Sequence, residues 1–522
     1  MWFAALLWAF QEVDAAAPPR ARRWEEFPVL VWRERHAGQP LPPELAEPFG
    51  GVILMRGEDS GWARERGLGY LVWNVAGRDA LHLDADQAWN ERVERWIETR
   101  DEGLLVRQPC LNDPEVVQGL FATLEETIAR HGKEPGLGFV LGDEVGWTPN
   151  GDPFDLCACP HCDAAWQVFA RQQGLSGRAP STDEVRLGLL EGDHSKLGAW
   201  LARRRFHSHC LMRRLEDLTT HGRQKTGLGP RGGMDPRSKR VLFGLLGLSG
   251  ASAFGGVDTA APMRLFDFVE AYPTVDAREQ LAGALHLRDH SRSRDFAWIA
   301  SRTLTTIFVD QETADGAAWL AWEHWLRGGS GLVLWSDTAL LERPEHLARL
   351  AEAVRDIRSS RNAHTDLEQR GGAILTDPDS VALSFLRDAL LDGPTWPRRR
   401  AGYQAEHGQR ERKVRAWLRA IEDAGELPAV LPLAEVRPDC AETYGFLVAV
   451  ELLVLGEMDI RRLEAFLDEG GTLVVDGTLG WVHRSGELRT DDVLTRLQER
   501  GGARVISAPR WMESYLGGRS DP

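Results

Sequence analysis

The sequence contains no run of about 20 consecutive apolar residues, the length that a membrane-spanning helix requires, and no basic stripe. The first absence speaks against a helical membrane protein. The second, with a formal net charge of -16, speaks against nucleic acid and anionic membranes as partners, because both repel a chain of that sign. The C-terminal third carries no glycine-rich phosphate loop, so nothing there marks a nucleotide site. Residues 2–10 are apolar and precede Ala15-Ala16-Ala17, like the core and cleavage site of a signal peptide, but the basic residues that open such peptides are missing. Residues 1–25 are therefore either an export signal or an ordinary N-terminal extension, and the compartment, cytoplasm or exterior, stays open.

At 522 residues the chain exceeds one ordinary core and calls for two or three domains. Its 43% hydrophobic and 27% charged content is that of a globular protein. The 20 tryptophans are many; flat indole faces stack on the C–H faces of sugars, and they also fill cores.

Short apolar runs at 27–32, 51–55, 69–73, 138–141, 241–246, 266–271, 306–309 and 332–335 alternate with helical stretches, which predicts βα units around a parallel sheet. The clearest helical patterns are 114–131, 160–173, 193–221, 314–327 and 344–358, with Pro114 and Pro160 where a first helical turn accepts proline. Repeats of this number and length close into a (β/α)8 barrel over residues 26–360, with its active site at the C-terminal ends of the strands. An open doubly wound sheet would alternate in the same way. After residue 360 come Gly371-Gly372, an Arg-rich loop at 397–412, an apolar run at 446–455, a helix at 458–468 and a strand ending at Asp476. These predict a smaller flavodoxin-like α/β domain over 361–522. Its Cys440 has no histidine nearby in sequence, which weakens a thiol-nucleophile reading.

Three of the six cysteines fall in Cys157-Ala158-Cys159-Pro160-His161-Cys162, and Cys110 lies upstream. Ligands spaced this tightly can converge at about 2.3 Å from a metal. Disulfides compete with that reading, although Cys157 and Cys159 are poorly spaced for one; His161 stands as an alternative ligand, and Cys210 as a buried small hydrophobe. Four sulfurs close the shell of a zinc ion, making it structural rather than catalytic.

Gly142-Asp143-Glu144-Val145-Gly146-Trp147 ends the fourth run, where a barrel presents catalytic groups. Glu144 is the acid/base candidate. Glycoside hydrolysis needs a second carboxylate, roughly 5–5.5 Å away for retention or 6.5–9.5 Å for inversion. The seventh run supplies Asp310 and Glu312, on one face if extended; the sixth supplies Glu270 and the eighth Asp337. Each of these is equally readable as a solvated or salt-bridged loop carboxylate.

The acidic pair, the CxCxxC loop behind it and the upstream Arg107-Gln108-Pro109-Cys110 together resemble glycoside hydrolase family 42, the β-galactosidases. The resemblance implies that Glu144 is the acid/base and that Cys110, Cys157, Cys159 and Cys162 bind zinc. It places Asp310 at the nucleophile position, with Glu312 as a nearby substitute. Asp143 stands where the family has an asparagine, so it can accept a hydrogen bond from a sugar hydroxyl but cannot donate one. Trp335 resembles the family's sugar platform, Tyr272 follows the sixth run as the family's tyrosine does, and Trp147 joins them as a substrate contact. Residues 361–522 resemble the family's catalytically silent, class I amidotransferase-like trimerisation domain, which implies a homotrimer. The function so implied is retaining hydrolysis of β-linked, galactosyl-type carbohydrate. Altered residues at two site positions motivate the alternative of a carbohydrate-binding pseudoenzyme, and a hydrolase using the zinc directly is opposed by the closed sulfur shell.

Overall fold

The computed structural model describes residues 24–132, 136–149, 152–226, 241–248, 252–257, 265–271, 302–326, 328–360, 371–399, 401, 408–426 and 428–508. Among them, the apolar runs of the first two thirds form strands β1 (Val29–Val31), β2 (Gly51–Met55), β3 (Gly69–Trp73), β4 (Gly138–Asp143), β5 (Phe243–Leu248), β6 (Phe268–Ala271), β7 (Arg302–Phe308) and β8 (Gly331–Trp335). They are buried on both faces, as parallel strands covered by helices must be. Every neighbouring pair is parallel, and β1 closes on β8 through Val29↔Leu332, Leu30↔Val333 and Val31↔Leu334. That closure makes a barrel and excludes the open sheet. Leu30, Ile53, Leu71, Val140, Phe268 and Val333 are among the side chains that fill its interior.

Two differences from the predicted strands bear on the site. β7 starts at Arg302 rather than 306, because Thr303, Thr305 and Thr306 supply β-branched side chains without an apolar signal. β4 runs on to Asp143 with a register shift, since Val140 pairs with Gly244 but Asp143 pairs with Leu246. One extra residue on β4 over that interval is a bulge. It sets Asp143 on the face of Leu246, the barrel interior.

The predicted helices occur as Pro114–His131, Pro160–Gln172, Leu197–Lys225, Ala314–Leu326 and Pro344–Ser360. Asp113 caps the first, accepting from Glu115 N at 2.9 Å, with proline at its opening position. No helix among the described residues is long and apolar enough to cross a membrane.

Beyond the barrel, β9 (Gly372–Thr376), β10 (Ala429–Pro432), β11 (Phe446–Val454), β12 (Leu473–Val482) and β13 (Val505–Ser507) form a parallel sheet in the order β10-β9-β11-β12-β13. This is the flavodoxin-like 2-1-3-4-5 order, whose switch point lies between the first and third strands. Here that place is filled. Arg484, following β12, pairs with Asp377 at 2.8 Å, Asp379 at 2.8 Å and Asp459 at 2.6 Å. Arg205, on the barrel helix Leu197–Lys225, donates to Asp379 at 2.7 Å and to the Arg484 carbonyl at 2.9 Å. Apolar contact continues the seam, with Phe254 against Phe385 at 5.2 Å and a fully buried Trp396.

Candidate active site and metal centre

The C-terminal ends of the strands form a mouth with aromatic residues on one side and carboxylates on the other. Trp32 meets Trp73 edge-on at 4.9 Å and Trp335 at 5.1 Å, and Phe308 lies 6.4 Å from Trp335. Across from them, β4 ends in Asp143 and Glu144. Glu144 has φ 49, a left-handed conformation unusual for a side chain of its kind, and its side chain is 36% exposed. His82 holds it: Nδ1 lies 3.0 Å from the Glu144 carbonyl and 3.8 Å from its carboxylate, and Nε2 lies 2.8 Å from Asp84.

Gly247, just before the end of β5, has no room for a side chain. Its φ is 60, and a Cβ there would sit 2.3 Å from Asp143 Oδ1 and 2.8 Å from Glu144 Cγ. Its N–H donates to Glu270 Oε2 at 2.6 Å, while Thr306 Oγ1 donates to Oε1 at 2.5 Å. Glu270 is buried on β6. Burial pushes its carboxyl up to about 8, against the two donated hydrogen bonds and with help from the charge of Asp143.

Behind Glu144, the sulfurs of Cys110, Cys157, Cys159 and Cys162 are buried and lie within 4.8 Å of one another. A tetrahedral shell with bonds of about 2.3 Å spaces its sulfurs roughly 3.8 Å apart, so the cluster is compatible with a structural metal. Its donor set fits too. Sulfur accepts from Arg107 N at 3.2 Å, Asn112 N at 3.4 Å, Cys162 N at 3.4 Å and Asn112 Nδ2 at 3.3 Å, contacts that favour thiolate. Hydrogen bonds from Cys157 and Cys162 hold the Cys110 thiol well below its ordinary value, and the same contacts push those two up.

Arg107 is fully buried and joins this cluster to the mouth. Its guanidinium donates to the carbonyls of Pro109 at 2.6 Å, Gly146 at 3.0 Å, Trp147 at 3.3 Å and Leu81 at 3.4 Å. Burial pushes it down to about 10, against the pull of Cys110, Cys157 and Cys162.

No protein-family model matches the sequence, and no curated protein is similar to it. Solved structures are. A catalytic mutant of Gan42B, a GH42 β-galactosidase from G. stearothermophilus, matches with TM-score 0.59 and 14% identity, covering 89% of this chain and 74% of that one. A β-galactosidase from Bacillus circulans sp. alkalophilus matches with TM-score 0.57 and 11% identity, covering 91% and 73%. The exo-carrageenase GH42 from Bacteroides ovatus gives 0.56 and 11%, covering 94% and 70%. The fold is that of the family 42 enzymes.

On this family 42 fold, Asp143 and Glu144 at the end of β4 and Glu270 on β6 come together across Gly247 of the intervening β5, and the four cysteines meet as expected. His161 does not join them; it is exposed, 3.7 Å from Asp113. Cys210 is buried close by, 3.5 Å from Asn112 Nδ2. Other placements differ from expectation. Trp147 is fully buried, stacked on His207 at 5.1 Å and donating to the Leu156 carbonyl at 2.8 Å; the chain turns inward after Glu144, so this tryptophan is core and not a substrate contact. Asp310 and Glu312 are not extended on one face, because β7 ends at Phe308 and a turn follows. Asp310 is exposed there, and Glu312 is half-buried with its carbonyl 2.9 Å from His346 Nε2.

Asp337 is no catalytic candidate. It is fully buried and accepts from the backbone of Glu34 at 2.7 Å, Arg35 at 3.0 Å and His36 at 2.9 Å, which ties the loop after β1 to the end of β8. Cys440 is buried too, and burial pushes its thiol up. Tyr272 and residues 1–23 lie outside the described residues. Sequence reasoning missed His82, Gly247 and the cross-tie by Arg107. His82 is 62 positions from Glu144, so no local pattern could have paired them.

Proposed function

We propose that the chain is a glycoside hydrolase that cleaves β-linked carbohydrate, galactosides first among the substrates to test, with retention. The observation that carries this reading is the partly exposed Glu144 carboxylate at the end of β4, facing tryptophans on a family 42 fold. In this mechanism Glu144 gives its proton to the glycosidic oxygen as that oxygen leaves the anomeric carbon. A carboxylate after β7, Asp310 or else Glu312, forms the covalent bond to that carbon. Glu144 then takes a proton from water, whose oxygen displaces the enzyme carboxylate. Asp143 accepts a sugar hydroxyl, with Trp335 as platform and Tyr272 as a further contact. The reaction requires the 309–312 turn to move its carboxylate toward the barrel axis when sugar binds.

The four cysteines would hold zinc, which braces the loops beside Glu144 and takes no part in bond cleavage. Residues 26–360 form the catalytic unit, and 361–522 a catalytically silent amidotransferase-like unit that assembles three chains. Elemental analysis giving one zinc per chain, and a solution mass of three chains, are the expected results for these parts.

The second reading, a carbohydrate-binding pseudoenzyme, is favoured by one observation: β7 itself ends at the mouth in Phe308, packed on Trp335, where a hydrolase needs a carboxylate. Hydrolysis of aryl β-glycosides by wild type, Glu144→Gln, Asp310→Asn and Glu312→Gln decides between them. A loss of about 100- to 10,000-fold for Glu144→Gln on poor leaving groups is expected. Sugar binding without turnover on any glycoside would instead support the pseudoenzyme.

A further inference from the structure

Glu144 is held at three points before its carboxylate meets any substrate. Its N–H donates to the Leu246 carbonyl at 3.1 Å, which ties it to β5. Gly247 lies against its side chain, so closely that a Cβ there would come within 2.8 Å of Glu144 Cγ. Its own carbonyl meets His82 Nδ1 at 3.0 Å. Glu144 stands one residue past the end of β4, and φ 49 is a backbone conformation that a non-glycine residue keeps only when its surroundings impose it.

The third contact comes from a ring that is itself clamped. His82 is buried, and its Nε2 lies 2.8 Å from Asp84 Oδ1. A carbonyl can only accept, so Nδ1 donates to Glu144; an ionised Asp84 likewise accepts from Nε2. With one partner on each nitrogen, the ring cannot turn without losing a bond. The chain beside it is anchored too, because the Leu81 carbonyl accepts from Gly146 N at 3.0 Å and from the buried Arg107 guanidinium at 3.4 Å. By contrast, Nδ1 stands 3.8 Å from the Glu144 carboxylate, beyond hydrogen-bond reach. The ring therefore grips the backbone of Glu144 and leaves its partly exposed carboxylate for the substrate.

We propose that His82, oriented by Asp84, is the positioning residue for the acid/base: its Nδ1–H fixes the Glu144 peptide so that the carboxylate meets the glycosidic oxygen. The catalytic consequence rests on the hydrolytic reading, while the positioning itself can also be read from binding. A misplacement of about 1 Å costs on the order of 100-fold in rate. Here that loss should fall on substrates whose leaving oxygen needs a proton, and spare those that leave without one.

Two substitutions divide the ring. Asparagine carries its amide nitrogen as many bonds from Cβ as Nδ1, and glutamine as many as Nε2. His82→Asn thus keeps the donor to Glu144, and His82→Gln keeps only the donor to Asp84. For phenyl β-D-galactoside, which needs acid assistance, kcat/KM should fall about 10- to 100-fold in His82→Gln and stay within about threefold of wild type in His82→Asn. Dinitrophenyl β-D-galactoside, which leaves without a proton, should keep its kcat/KM within about threefold in both. Asp84→Ala should repeat the His82→Gln pattern more weakly, and it carries the comparison if His82→Gln does not fold. Equal losses on the two substrates, or losses in His82→Asn as large as in His82→Gln, overturn the inference and mark the ring as structural. Calorimetry with deoxygalactonojirimycin, a cation of sugar shape that pairs with carboxylates, separates this inference from the hydrolytic reading. Binding that Glu144→Gln and His82→Gln weaken and His82→Asn spares, in a protein that hydrolyses no glycoside, sinks the hydrolytic reading and leaves His82 as the positioning residue. Hydrolysis that His82→Gln leaves untouched does the reverse. A protein that neither hydrolyses nor binds overturns both.

Discussion

Glu270 keeps its proton in the folded barrel up to about pH 8, whereas an unfolded glutamate releases it near pH 4.3. Between those values the folded chain binds the extra proton, so its stability falls as pH rises and levels off above pH 8. Replacing Glu270 with Gln should flatten that part of a melting-temperature profile measured from pH 4 to 9. Parallel curves for the two proteins would show that the carboxyl is ionised in the fold.

Gly247 allows a second test at the same scale. A methyl group there collides with Asp143 and Glu144, so Gly247→Ala should cost about 1–3 kcal/mol in denaturant unfolding. Gly57→Ala, where a Cβ meets nothing within 4 Å, should change stability by less than about 0.5 kcal/mol.

At the scale of elements, the metal loops are where sequence and structure agree most closely. The CxCxxC spacing is itself the geometry, since three ligands on one turn converge without help from the rest of the chain. Asn112 adds what spacing cannot show, a side-chain N–H on Cys162 at 3.3 Å. Asn112→Ala should weaken metal retention by about 10- to 100-fold in chelator competition, and unchanged retention would remove Asn112 from the metal's support.

Strands were legible in proportion to their apolar content. β2 and β3 fall where the pattern put them, while the first four residues of β7 escape it because threonine builds a strand without looking hydrophobic. The bulge in β4 also escapes. It depends on where Asp143 pairs across the sheet, which a strict alternation of faces cannot foresee. The same limit explains Trp147, read as a mouth residue from its distance to Glu144 but carried into the core by the turn between them.

For the whole molecule, the seam between barrel and second sheet centres on Arg484. Burial opposes its charge, but Asp377, Asp459 and Asp379 more than offset this and hold the guanidinium above its usual value. Arg484→Ala would leave the buried Asp377 without its cation, with Asp379 held by Arg205 alone and Asp459 by Arg462 alone, at a cost on the order of 3 kcal/mol. A lowered melting temperature, with proteolysis entering between the units, is the expected outcome; an unchanged melt would place the strength of the seam in the apolar contact of Phe254 with Phe385.

Sheets of the 2-1-3-4-5 order keep their ligands at the switch point, and in this chain an arginine from the protein itself has taken that seat. The second unit therefore cannot hold a cofactor there and grip the barrel as well. A ligand entering this switch point would have to displace Arg484, and with it the carbonyl and the Asp379 carboxylate that Arg205 of the barrel grips, so occupancy of the sheet and strength of the seam oppose one another.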